Sequence, residues 1–176
     1  MPLNDSAGRG LVLVIMGVAG SGKTTVGRAL AQELDAPFLE GDDFHPSANR
    51  RRMRAGIPLT DADRWPWLDR VAEGIRKAAT GAPVVVIACS ALKKRYREHL
   101  RGRAGPRIEF IYLRGNYELI SRRLETRTGH FMPADLLHSQ FDDLEEPEHA
   151  IVADIDAPVE TIVDRIVAEL RQRIDG

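Results

Sequence analysis

The chain of 176 residues holds one cysteine, Cys89. A disulfide within the chain is therefore impossible, and a reducing compartment is the simplest expectation. Long hydrophobic runs are missing too. The longest, Leu11 to Ala19 and Pro83 to Leu92, are too short to cross a bilayer. "MPLNDSAGRG" has no charged segment followed by an apolar one, so no signal peptide is expected. A surplus of one sign of charge is also lacking. The formal net charge is −1, with both signs spread along the chain, which argues against bulk attraction to nucleic acid or to a membrane surface. No internal repeat, low-complexity tract or long linker is present. These absences leave the expectation of a soluble, cytoplasmic protein in one compact domain, long enough to bury a sizeable core.

What is present is an alternation. "LVLVIM" at Leu11 to Met16 is a continuous apolar run, partly β-branched, which reads as a strand buried on both faces. Apolar residues then recur at helical spacing from Lys23 to Leu34. Further strands are predicted at Pro37 to Leu39, Val84 to Ala88, Ile108 to Leu113 and Ile151 to Ile155. Helical patterns lie at Trp67 to Ala79, Leu92 to Arg101, Tyr117 to Thr126 and Val159 to Ile174. Strands alternating with helices imply an α/β fold, a parallel sheet with helices on both faces. Two intervals, Glu40 to Gly81 and Arg127 to Pro147, carry more sequence than a crossover needs. Such insertions tend to be lids or substrate-holding segments.

Between the first strand and first helix lies "GVAGSGKTT". Its spacing, Gly17, four residues, then Gly22, Lys23 and Thr24, is that of a P-loop in the right context. Glycines let backbone N–H groups turn inward on phosphate oxygens. The helix opening at Lys23 adds free amides and its positive dipole end. Lys23 supplies charge for the outer phosphates, and the Thr24 hydroxyl suits Mg²⁺. The nucleotide contacts thus expected run over Gly17, Val18, Ala19, Gly20, Ser21 and Gly22, with Lys23, Thr24 and Thr25.

The motif indicates a nucleoside triphosphate but not a reaction. A guanine-reading Asn-Lys-x-Asp is absent, and the sole Asp-x-x-Gly, Asp5 to Gly8, lies upstream of the loop. The strand "VVVIA" ends in Cys89 and Ser90, without the acid of motor-type ATPases. This leaves the small-molecule kinases, which need an acceptor site, an acid for the acceptor hydroxyl and an arginine-bearing lid. Asp42 follows the second strand at the carboxyl edge, where ligands bind in parallel sheets. It is the candidate to take or orient the hydroxyl proton. Asp43 is expected to cap the helix after Pro46. His45 is open between substrate binding and packing. Of the run Arg50, Arg51, Arg52 and Arg54, one or two are expected to face the site. Arg123 and Arg127, four apart, are expected on one helix face, where a guanidinium stacks on adenine or clamps phosphate. Gly129 would serve as a hinge, with Phe131 as a packing anchor. Cys89 reads as a small buried residue.

With these residues assembled, the sequence resembles the gluconokinases of the small P-loop type. The matching segments are "MGVAGSGKTT", "FLEGDDFHP", "GIPLTDADRWPWL", "CSALKKRYR", "FIYLRG", "GHFMPADLLHSQF" and "LEEP", in order from about Leu11 to Ala157. The resemblance implies phosphorylation of D-gluconate at its 6-hydroxyl by Mg-ATP, giving 6-phosphogluconate and ADP. It also implies a nucleoside-monophosphate-kinase-like fold with five parallel strands in order 2-3-1-4-5, and a homodimer. One P-loop kinase domain would span 1–176, with its acceptor insertion at about 40–81 and its lid at about 127–147. Residue by residue, it implies Lys23, Asp42 and Arg127 for catalysis, and Arg123, Arg127, Ala157 and Pro158 for the nucleotide. His45, Arg54, Arg64, Lys93, Arg97 and His130 fall on the gluconate side. Arg64 has an alternative as an ion pair with Asp61 or Asp63, and Trp65 and Trp67 as core packing. Glu40 stands where the family often has aspartate, so an outer contact to Mg²⁺ keeps its charge with altered reach. The alternatives are a shikimate or nucleoside-monophosphate kinase, or a non-catalytic nucleotide-binding regulator.

Overall fold

The computed structural model describes residues 10–127 and 133–175. Its first strand, β1 (Leu11–Met16), is buried at every position. Side chains alternate across a strand, so this one hexapeptide feeds two cores. Leu11, Leu13 and Ile15 face the cluster under α1 (Lys23–Glu33) and the C-terminal helix. Val12, Val14 and Met16 face the opposite cluster with Trp67, Leu68, Val71 and Tyr96. A strand apolar on both faces needs cover on both faces, and that makes β1 the centre of the sheet.

The remaining strands are β2 (Phe38–Glu40), β3 (Val84–Ala88), β4 (Arg107–Arg114) and β5 (Ile151–Asp154). All pairings are parallel and the order is β2-β3-β1-β4-β5, as the resemblance implies. β1 pairs with β3 on one side and β4 on the other, so the chain leaves it in opposite directions. Such a reversal opens a crevice at the carboxyl ends of the strands, and the phosphate loop sits there. After β2 a short 3-10 turn (Gly41–Phe44) leads to α2 (Ser47–Arg54) and α3 (Asp61–Ala79). Then come α4 (Lys94–Arg103), α5 (Tyr117–Glu125), α6 (Ala134–Asp143) and α7 (Val159–Asp175). Among the described residues no helix is long and apolar enough to cross a membrane.

Three differences from the sequence reading have local causes. α3 begins at Asp61, not Trp67. Thr60 and Asp63 form a reciprocal capping box, which satisfies two free N–H groups, and the helix continues through Pro66. α2 starts after Pro46 with no side-chain cap. Asp43 therefore does not cap it. Its carbonyl instead accepts from the Arg50 guanidinium at 2.8 Å. α5 ends at Glu125, so Arg127 lies beyond the last helical turn and does not share a helix face with Arg123. The tenth residue of that pattern, Thr126, turns back to donate its hydroxyl to the Arg123 carbonyl.

Candidate active site

The loop after β1 is held open by its own backbone. Gly22 has φ 94° at the start of α1, a left-handed conformation that side chains disfavour. The Lys23 ammonium folds back and donates to the Val18 carbonyl at 2.9 Å. Burial pulls its pKa below the usual lysine value, and Asp42 opposes that pull. Thr24 donates its hydroxyl to Glu40 Oε2 at 2.5 Å. Two hard oxygen groups thus stand side by side at the mouth of α1, which suits Mg²⁺ held mainly by phosphate oxygens and water. Glutamate at position 40 thus reaches the Thr24 hydroxyl. Cys89 lies beneath, buried, its thiol pushed up to about 12 by burial and by Asp42. It is no nucleophile.

The acceptor side is built from the corner after β2. Gly41 has to be glycine, because a Cβ there would collide with the Ala88 carbonyl of the next strand. The indole of Trp67 in α3 donates to the Gly41 carbonyl at 2.8 Å. The corner is thereby pinned to α3, and Asp42 points outward, its side chain largely exposed. His45 returns inward. It is buried and stacks on Trp67 at 4.2 Å, 13° from coplanar. Burial first, with Arg50 and Arg64 adding, lowers its pKa to about 4 against the pull of Asp42.

Lys23, Thr24, Glu40, Asp42, His45, Arg54, Arg64 and Trp67 all line one cleft of about 440 Å³. Arg127 reaches its rim. Trp67 is both core and cleft wall. Trp65 is packing only, edge-on to Tyr96. A second hollow of about 220 Å³ adjoins the loop between Gly20, Thr25, Arg123, Arg127 and Ala157. Arg123 and Arg127 meet there despite the helix end between them. Arg123 donates to the Ile155 carbonyl at 2.6 Å, which fixes the end of β5 before Ala157. Pro158 stands just outside the hollow, where its carbonyl opens α7. Among the basic run, Arg50 folds onto the His45 and Asp43 carbonyls, Arg52 pairs with Asp63 at 3.4 Å, and Arg54 faces the cleft.

Two expected substrate contacts are placed elsewhere. Arg97 is buried and gives its guanidinium to the carbonyls of Ala91, Leu92 and Glu145 at 2.8 to 2.9 Å. It clamps "LEEP" against the start of α4 and has no path to the cleft. Lys93 pairs with Asp61 at 3.4 Å and Asp143 at 3.5 Å and does not line the cleft. Arg64 pairs with Asp143 at 3.0 Å and with the Tyr96 hydroxyl at 2.7 Å, not with Asp61 or Asp63. Tyr96 and Arg95 in turn bond Asp61. This knot joins the starts of α3 and α4 to the end of α6. It holds three cations, Arg64, Lys93 and Arg95, against two carboxylates, so the neighbourhood stays electropositive. His130, Gly129 and Phe131 lie outside the described residues.

Some cleft residues carry no sequence expectation. Gln140 of α6 and Tyr96 of α4 line it, and Asn49 of α2 is buried behind His45. All three fall inside or beside the quoted motif segments, which was the one signal available for them.

Residues 12–147 match the profile described as an AAA domain. The chain is 45% identical over 157 residues to the gluconokinase of Arabidopsis thaliana, covering 82% of each protein. It is 41% identical over 165 residues to the thermoresistant gluconokinase of Escherichia coli, covering 92% of this chain and 94% of that one. Among solved structures, a gluconokinase from Sinorhizobium meliloti superposes with a TM-score of 0.84 at 42% identity, over 93% of both chains. The shikimate kinase of Aquifex aeolicus, with a TM-score of 0.57 at 18% identity over 94% and 99%, shares the fold alone. Identity at these levels over nearly the whole chain, on a phosphate loop that opens into an electropositive acceptor cleft, places the protein in the gluconokinase family.

Proposed function

We propose that the protein transfers the terminal phosphoryl group of ATP to the 6-hydroxyl of D-gluconate. The hydroxyl oxygen attacks phosphorus, the bond to ADP breaks, and the hydroxyl proton passes to Asp42. The observation that carries this reading is a single cleft lined together by Lys23, Thr24, Asp42 and His45, with Arg54 and Arg64 among its other lining residues. Phosphoryl transfer asks for positioning and charge more than for covalent chemistry. Lys23 and the loop amides hold the outer phosphates. Thr24, backed by Glu40, holds Mg²⁺, which offsets phosphate charge when bound. Arg123, Ala157 and Pro158 frame the base, and Arg127 at the junction of the two hollows reaches the transferring group. Arg54 and Arg64 face the substrate carboxylate, where a planar guanidinium pairs best. His130 belongs to the lid segment that this reading closes over the site, to exclude water during transfer. A homodimer, as the resemblance implies, in the cytoplasm, as the single cysteine suggests, completes the reading.

Coupled ADP release with gluconate, sorbitol, shikimate, AMP and no acceptor tests the proposal. Gluconate should exceed sorbitol by roughly a thousandfold, since a neutral analogue leaves the cleft cations unpaired. Equal rates with sorbitol would overturn the carboxylate site, and turnover with shikimate or AMP alone would overturn the acceptor.

A further inference from the structure

Among the described residues His45 is the one buried imidazole in the cleft wall, and its protonation is fixed by a neighbour that no part of the reaction has used. Asn49 Nδ2 lies 2.9 Å from the Asp63 carbonyl and 3.3 Å from His45 Nδ1. A carbonyl only accepts, so this atom of Asn49 is its NH₂ group. The second hydrogen of that NH₂ is directed to Nδ1, which must then be the unprotonated ring nitrogen. The proton of the neutral ring therefore sits on Nε2. That nitrogen lies on the cleft side, 3.8 Å from Asp42 Oδ1. Burial keeps the ring neutral at neutral pH, and the Trp67 stack keeps its plane. Asn49 is itself buried, held by the first turn of α3.

A donor and a carboxylate 3.8 Å apart are too far to bond each other and close enough to share one oxygen. A hydroxyl is the group that fits, because it accepts one hydrogen bond and donates another. We propose that Asn49 is a positioning residue that locks His45 with its proton on Nε2, so that His45 and Asp42 together seat the reacting hydroxyl. The hydroxyl oxygen accepts from Nε2–H and its proton points at Asp42. Its remaining lone pair is left for phosphorus. A ring protonated on Nδ1 could not do this, since its Nε2 would compete for the same proton. The inference rests on the gluconate kinase reading for the identity of the hydroxyl, and on the packing of α2 and α3 for the rest.

The test is nitrogen-15 NMR of the imidazoles of the full-length protein at pH 7, without substrate, beside steady-state kinetics. The expected result is a His45 ring protonated on Nε2 alone. In Asn49→Leu the ring should become a mixture of both tautomers. Its kcat should fall roughly tenfold, the worth of one net hydrogen bond, while KM for ATP stays within about twofold. His45→Gln, whose amide nitrogen occupies the place of Nε2, should keep more turnover than His45→Asn, whose nitrogen occupies that of Nδ1. This comparison stands even if Asn49→Leu does not fold. Protonation on Nδ1 in the unaltered protein, or equal turnover for the two His45 variants, would overturn the inference. A protein with the expected tautomer that fails to phosphorylate gluconate would instead overturn the acceptor assignment.

Discussion

The side-chain oxygen of Gln140 accepts a hydrogen bond of 2.6 Å from the backbone N–H of Ala19. Helix α6 is thus tied to the phosphate loop itself. Loop amides of this kind are the groups that cradle phosphate, so Gln140 is bonded to a member of the phosphate-binding motif. Gln140→Glu keeps the shape and adds a negative charge there. KM for ATP should rise by about tenfold, the scale of a like-charge contact at a partly screened site. Gln140→Ala removes the tether without the charge and should act more mildly. Equal ATP constants for all three proteins would remove Gln140 from the phosphate site.

Asp42 and its neighbour Asp43 offer an internal control. Both are exposed and both open the same 3-10 turn. Asp42 lines the cleft, whereas Asp43 contributes a carbonyl to Arg50 on the outside. Asp42→Asn should lower kcat by roughly a hundredfold or more, the usual worth of a general base, with KM for ATP nearly unchanged. Asp43→Asn should stay within about twofold of the parent on both constants. The reverse ranking would show that the acid has been misassigned.

How far the site was legible in the sequence follows from what each residue depends on. The phosphate loop depends on a contiguous motif between a strand and a helix, and every part of it was readable. The sheet order came with the resemblance, and the strand positions came from apolar runs. The surroundings of Arg97 and Lys93 were not legible, because a basic residue in a motif looks the same whether it faces substrate, backbone carbonyls as Arg97 does, or carboxylates as Lys93 does. Arg97 is turned inward by Glu145, 48 positions away, and no local pattern encodes that contact. Asn49 and Gln140 depend likewise on partners 14 and 121 positions distant. The early start of α3 was hidden because Pro66 reads as a helix boundary, although the capping box of Thr60 and Asp63 stands in plain sequence.

Arg97 should therefore matter for stability, not for substrate. Burial draws its pKa below the usual arginine value, and three backbone carbonyls depend on its donors. Arg97→Met fills similar space but leaves those acceptors without partners. Unfolding by urea should show a loss of about 3 kcal/mol, typical of a broken buried polar network. Measured well below its melting temperature, the variant should bind gluconate within about twofold of the parent. A stable variant that had lost gluconate binding would return Arg97 to the acceptor site.

The lowered pKa of His45 makes stability depend on pH with a definite sign. In the unfolded chain the ring titrates near its ordinary value of 6.5, and in the folded protein near about 4. Between these values the unfolded state binds more protons, so stability rises with pH across the window. Above about 6.5 both states are neutral and the ring contributes no slope. On acidification the folded state loses ground from about 6.5 down to about 4, by at most about 3 kcal/mol. The lowered carboxyls of Asp61 and Asp63 titrate below this range and do not mask it. His45→Gln removes the titrating group while keeping a neutral polar side chain. Urea unfolding at pH 7 and pH 5 should therefore show a steeper fall for the parent than for His45→Gln, by roughly 2 kcal/mol, whatever their absolute stabilities. Parallel curves would mean that the imidazole is solvated, and that burial against Trp67 does not hold it neutral.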